Sequence, residues 1–307
     1  MDRHGDGCHG LSHAELEMTL GGGIVRLLFD EKVDDAASEN DGTVVQRQDE
    51  EYSYVELGKL NMEKNREIAL TQMRKSVEKL GSSTEKYGDL TLMRFLIARS
   101  MDPEKSAKMF VQWQKWRATM VPNGFISESE IPDELLPRKS FLQGLSNDGF
   151  PVLLFKACEH FPSKDQLQFK KFVVHLLDKT LASSFRGREI GNEKLIGVLD
   201  LQKITYKNID ARGLITGFQF LQAYYPERLA KCYILHMPRF FVSVWRMVSR
   251  FLEKATLEKI VIVTNEEEKK DLMREIGEEV MPEEYGGRAK LIALQDVTVP
   301  HLTDVFP

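Results

Sequence analysis

Cysteine is scarce in this chain of 307 residues. Cys8, Cys158 and Cys232 are far apart and odd in number, which excludes a disulfide framework and suits a reducing compartment. Long apolar runs are also missing. No window of about 18 apolar residues occurs, so no membrane-spanning helix is expected. The stretch LEMTLGGGIVRLLF is broken by Glu17, a glycine run and Arg26, and the polar opening MDRHGDGCHG carries no secretory signal. Positive charge is not in excess: 42 Lys and Arg stand against 47 Asp and Glu, a net charge of -5, which excludes a general nucleic-acid binder. Catalytic signatures are absent as well: no G-x-S-x-G elbow, no H-E-x-x-H, no phosphate-loop lysine and no glycine triplet after a strand. His160, His175 and His236 read as structural histidines. Asp200, ending the LIGVL run, has no histidine or metal-ligand neighbour in sequence. The expectation is a cytoplasmic protein that is not an enzyme and holds no metal or cofactor.

What is present divides the chain. Residues 1–60 read as a disordered acidic tail, because Asp30 to Glu51 hold nine acidic residues against Lys32 and Arg47. His4, Cys8, His9 and His13 lack a folded frame for a metal, and Gly21 to Gly23 lack the lysine that a phosphate loop needs. Residues 61–136 read as a helical lobe. Asp89 is a candidate N-cap ahead of Leu90, Met93, Leu96 and Ile97, and Asp102-Pro103 opens a second helix with Met109, Phe110, Trp113, Trp116 and Met120 on its apolar stripe. From about residue 140, the short runs PVLLF, LIGVL, YILHM and IVIV lack polar alternation, as strands covered on both faces do. Helical patterns separate them: one capped by Ser163 with Gln166, one marked by Leu214, Phe218 and Leu221, and one running from Asn265 to Gly277. This alternation predicts an α/β lobe with a mostly parallel sheet flanked by helices, over residues 137–290, followed by a C-terminal extension at 291–307.

Two features ask for a ligand. Glu227 and Lys259 each border an apolar strand, where they form either a structural ion pair or the polar end of a site for something greasy. In 238-PRFFVSVWRMVSRFLEK-254, Phe241, Val244, Trp245, Val248, Phe251 and Leu252 share a helical face, with Arg239, Arg246, Arg250 and Lys254 elsewhere around it. Such a helix either covers the sheet or lies on an anionic membrane, each basic residue contributing about 1 kcal/mol there.

Seven phrases in order resemble the CRAL-TRIO lipid-binding family, in its phosphatidylinositol transfer branch. They are 89-DLTLMRFLIARSMDPEKSAKMF-110, W-x-x-W-R at 113–117, 148-DGFPV-152, 198-VLDLQKIT-205, 222-QAYYPERLAKCYILHMP-238, 250-RFLEKATLEKIVIV-263 and 282-PEEYGG-287. The resemblance implies an N-terminal helical lobe and an α/β lobe that holds one lipid in an apolar pocket. It makes 238–254 a gating helix, with Phe240, Phe241, Val244, Trp245, Val248 and Phe251 as gate and membrane-contact residues. It assigns the inositol phosphate headgroup to Arg99, Glu227, Thr256 and Lys259, with Arg228 left to structure. Ser100 departs from the family's lysine. Leu142, Leu153, Leu195 and Gly197 stand where phosphatidylcholine-binding members carry tyrosines and hydroxyls. The implied function is lipid transfer or presentation by a monomer in transient, peripheral contact with membranes, with phosphatidylinositol as ligand and a lipid kinase or other protein as partner in phosphoinositide signalling. The alternatives are a carrier for a sterol or tocopherol-like hydrophobe, and a lipid-gated sensor or scaffold.

Overall fold

A computed structural model describes residues 14–20, 23–29, 42–184 and 193–299, with side chains from residue 58 onward. The candidate metal group at His4 to His13 and most of the acidic run after Asp30 lie outside the described residues. The chain divides into two compact units, 1–65 and 66–307, the boundary falling within helix α1 (Gly42–Lys79). In the first unit, β1 (Ala14–Leu20) pairs antiparallel with β2 (Gly23–Phe29), Leu20 opposite Gly23. A tail was expected there. The period-two pattern of Leu16, Met18 and Leu20, followed by a two-residue glycine connection, supplies the hairpin signal that composition hid.

In the second unit, α1 packs Ala69, Met73 and Val77 against α2 (Asp89–Ala98) and α3 (Pro103–Met120). Phe95 and Phe110 meet edge to face at 5.1 Å, the arrangement their ring quadrupoles favour. Asp102 caps α3 as the sequence predicts, accepting from the amides of Glu104 and Lys105. Asp89 does not cap α2. Gly88 occupies that position, and the Asp89 carboxylate instead receives Arg74 at 2.5 Å.

A short α4 (Pro132–Leu135) leads to a five-stranded sheet in the order β3-β4-β5-β6-β7. Its strands are β3 (Ser140–Leu145), β4 (Pro151–Lys156), β5 (Leu195–Asp200), β6 (Leu229–Leu235) and β7 (Ile260–Ile262). Only β3 runs antiparallel, to β4; the other pairs are parallel. Their crossovers are α5 (Gln166–Ala182), α6 (Ala211–Tyr224), and α7 (Phe241–Val248) with α8 (Lys254–Leu257). Asp165, not Ser163, caps α5, because its carboxylate reaches the amides of Leu167 and Gln168 while Ser163 Oγ turns to the Asp165 carbonyl. Helix α9 (Glu266–Ile276) is capped by Asn265 and ended by Gly277 at φ 92°, as predicted. It packs Leu272 and Ile276 on the sheet face that carries Ile196, Val198, Tyr233 and Leu235. Helices α5, α6 and α7 cover the other face. Among the described residues, no helix is long and apolar enough to cross a membrane.

Candidate functional site

Between the sheet and helices α5 and α6 lies an apolar cavity of about 190 Å³. Its floor is built by alternate strand residues, among them Leu153, Leu195, Gly197, Leu229 and Cys232. Helix α5 contributes Phe169, Phe172, Val173, Leu176 and Leu177. The face of α6 at the cavity is Gly213, Leu214, Gly217, Phe218 and Leu221, one stripe at helical spacing. A Cβ added at Gly217 would meet nothing within 4 Å, so this glycine widens the space. Leu153, Leu195 and Gly197, singled out in the sequence, line the cavity; Leu142 is buried in the adjoining core. Burial lifts the Cys232 thiol to about 12, leaving it an apolar wall group.

Helix α7 closes one side. Phe241 is buried and lines the cavity, Val248 is buried, and Val244 and Trp245 are half-buried, with Trp245 packed on Phe218 at 6.2 Å. Phe240 is half-buried against the Tyr206 ring, 4.8 Å away. The helix is shorter than its sequence pattern predicts. It stops at Val248, and the single 3₁₀ turn that follows, Ser249–Phe251, rotates Phe251 outward, 53% exposed. Val242 and Met247 also face solvent, an outer apolar set that sequence periodicity folded into the background of arginines. Glu253 N donates to Gln222 Oε1 at 2.8 Å, tying the end of this segment to α6.

The charged pair lies past the C-terminal end of α6. Lys259 Nζ donates to Glu227 Oε2 at 3.1 Å. Lys259 is also bound to the cavity wall, since its carbonyl accepts from Cys232 N at 2.8 Å. Thr256 sits on the same turn, its carbonyl accepting from Lys259 N at 3.1 Å. Glu227 has φ 55°, in the left-handed region that suits glycine and costs other residues roughly 1–2 kcal/mol.

That turn is braced from beneath. Tyr225 OH donates to Asp178 Oδ1 at 2.7 Å, and Arg117 Nη2 lies 2.7 Å from Asp178 Oδ2. Burial and the Asp178 charge push the Tyr225 phenol well up, so it stays a donor. Arg228 is 1% exposed and sits 2.5 Å from Glu193 Oε2, the structural role read from the sequence. Arg99 stands apart. It ends α2 and donates to its neighbour's carbonyl, Ala98 O, at 3.0 Å, and no hydrogen bond or ion pair joins it to Glu227 or Lys259 among the described residues. The N-terminal arginine that does reach the turn is Arg94, Nη1 3.5 Å from Pro226 O. Burial first, then the Arg228 charge, holds its guanidinium well below the ordinary value. Sequence reasoning placed Arg94 within a helical pattern and missed it.

Asp200 does acquire a histidine, though one distant in sequence. His236 Nδ1 is 2.8 Å from Asp200 Oδ1, and Tyr285 OH donates to Oδ2 at 2.7 Å. These groups lie at the strand ends on the α9 side of the sheet, away from the cavity.

The comparisons agree with this architecture. A model of the CRAL/TRIO domain matches residues 137–287. The CRAL-TRIO domain-containing protein YKL091C of Saccharomyces cerevisiae is 30% identical over 254 residues, covering 75% of this chain and 80% of that protein. Phosphatidylinositol/phosphatidylcholine transfer protein SFH12 of Arabidopsis thaliana is 29% identical over 219 residues, covering 66% of this chain and 40% of the longer plant protein. The crystal structure of Sfh5 superposes with a TM-score of 0.57 at 17% identity, covering 79% of this chain and 94% of that one; it shows the fold.

Proposed function

As the chain belongs to the CRAL-TRIO family, we propose that it binds one phospholipid, phosphatidylinositol, in the apolar cavity and exchanges it between membranes from the cytoplasm. The observation that carries this reading is Glu227, a charged residue kept in a glycine-like backbone conformation beside Lys259, next to strands whose Leu229 and Cys232 line an apolar cavity. Backbone strain of this kind is retained where the side chain is needed. Lys259 would bond phosphate oxygens as a point charge, Thr256 would add a hydroxyl, and Glu227 would accept from inositol hydroxyls. Arg99 would approach the headgroup only by leaving its helix end. The acyl chains would fill the cavity, contributing about 0.8 kcal/mol per buried methylene.

Exchange would proceed at a membrane surface as a monomer. Val242, Met247 and Phe251 face outward between Arg239, Arg246, Arg250 and Lys254, so the outer side of α7 can enter an anionic interface while Phe241 withdraws from the cavity. This role is lipid handling without chemistry, and a lipid kinase would be one consumer of the presented headgroup. Extraction and mass spectrometry of lipid that co-purifies with the full chain tests the reading, together with transfer of labelled phosphatidylinositol between vesicles. Phosphatidylinositol is expected in both. A purified protein that carries no phospholipid and transfers none would overturn it.

One observation favours a second reading, a carrier for a non-phospholipid hydrophobe. Leu153, Leu195 and Gly197 leave that stretch of floor without hydroxyls, so a choline headgroup would find no partners there.

A further inference from the structure

The gating segment is fastened by polar bonds at its two ends only. Among the described residues, Met237 to Leu252 makes no hydrogen bond or ion pair with any other element, and apolar contacts alone hold it over the cavity. At the first end, His236 Nδ1 lies 2.8 Å from Asp200 Oδ1. At the other, Glu253 N donates to Gln222 Oε1, also at 2.8 Å. Each partner belongs to an element outside the segment: Asp200 ends β5, and Gln222 sits in the last turn of α6.

The two fastenings differ in what stands behind them. Asp200 is buried and accepts from two further donors, Gln202 N at 2.9 Å and Tyr285 OH at 2.7 Å. His236 itself has φ 53°, a conformation that a residue other than glycine keeps only where its surroundings enforce it. Hinges are element-terminal positions of this kind. Glu253, by contrast, is exposed, and its amide meets a single flexible, uncharged side chain. Water can replace either partner of such a bond, so it opens early. The first end is a pivot and the second a releasable tie. That tie has a neighbour: Gln222 and Glu227 stand on one stretch and Glu253 and Lys259 on another, so Gln222–Glu253 and Glu227–Lys259 are two rungs between the same stretches.

We propose that Gln222 is the latch of the gating segment, a positioning residue whose bond to the Glu253 amide sets how often α7 swings about His236 and uncovers the cavity. This rests on the reading that lipid passes where Phe241 withdraws. A latch slows loading and release alike and leaves the affinity for the lipid unaltered. Damage to the adjacent Glu227–Lys259 rung would instead weaken the hold on the headgroup, so rates and affinity together distinguish the two roles.

The test uses the full chain with Gln222→Met, which keeps the length of the side chain without its acceptor, and Glu253→Pro, which deletes the donor. Glu253 has φ -67°, and Leu252 before it is extended at φ -98° and ψ 138°, so proline fits without strain. Glu253→Ala keeps the N–H and is the control. Cys232, buried in the cavity wall, reports opening through its labelling by N-ethylmaleimide, with half-buried Cys158 as internal standard. Gln222→Met and Glu253→Pro should each raise Cys232 labelling by about two- to tenfold, the range of one net hydrogen bond, and the double variant no further than either. Glu253→Ala should match wild type, and Cys158 labelling should not change. Pyrene-labelled phosphatidylinositol should enter and leave both variants faster by a similar factor, its partition between protein and vesicles unchanged. Unchanged Cys232 labelling in both variants overturns the latch, as do effects that multiply in the double variant. A shifted partition also overturns it, because Gln222 then serves the headgroup site. Faster Cys232 labelling where wild type takes up no phosphatidylinositol supports the latch and overturns the phospholipid reading.

Discussion

Lys259 Nζ lies 3.1 Å from Glu227 Oε2, and the glutamate in this pair holds φ 55°. The two facts pull stability in opposite directions. A pair with 27% and 22% of its side chains exposed contributes under about 1 kcal/mol, while the left-handed backbone costs a glutamate roughly 1–2 kcal/mol that glycine avoids. Glu227→Gly should therefore unfold in denaturant within about 1 kcal/mol of wild type. Glu227→Ala, which keeps the strain and loses the pair, should be less stable than Glu227→Gly. Both should lose phosphatidylinositol transfer by about tenfold or more, as should Lys259→Ala, since each removes a charge-assisted bond to the headgroup. Full transfer by the folded variants would remove the pair from the headgroup site.

The outer surface of α7 separates membrane contact from cavity closure. Met247 and Phe251 are 43% and 53% exposed, whereas Phe241 is 3% exposed. An aspartate at Phe241 would bury a charge and confuse unfolding with loss of function. Met247→Glu combined with Phe251→Glu places charge only where solvent already is, so stability should move by no more than about 0.5 kcal/mol per site. Co-sedimentation with anionic vesicles should fall several-fold at unchanged melting temperature. Unaltered co-sedimentation would show that this surface does not meet the bilayer.

Much of the fold was legible because the parallel strands announce themselves as unbroken Val, Ile and Leu runs, and because Asp102 and Asn265 are caps with local partners. The misplaced caps had a common cause: Asp89 and Ser163 have suitable side chains, but a distant Arg74 and a nearby Asp165 compete for the roles. The antiparallel β3 was not separated from its surroundings, since SFLQGL gives neither a clean alternation nor a continuous apolar run. At the site, Glu227 and Lys259 could be named, but their bond spans 32 residues and φ at Glu227 leaves no mark in composition. Arg94 was invisible for the same reason. Its significance lies in the Pro226 carbonyl that tertiary packing brings to it.

His175 links the core to pH. Its Nδ1 lies 2.8 Å from Ile126 O, which can only accept, and its buried Nε2 has no partner among the described residues. Burial, followed by the Lys179 charge, holds its pKa below 6.5, with the Ile126 carbonyl, Glu128 and Asp178 opposing. In the unfolded chain the imidazole takes a proton near pH 6.5, whereas the folded one resists until lower pH. Between those values the unfolded state binds more protons, so stability is full above about pH 6.5 and declines as the solution is acidified. Gln at this position keeps an N–H for the Ile126 carbonyl but does not titrate. Urea unfolding at pH 7 and pH 5 should thus show a smaller loss of stability for His175→Gln than for wild type. Equal losses in the two proteins would mean that the imidazole charges as readily inside the fold as outside it.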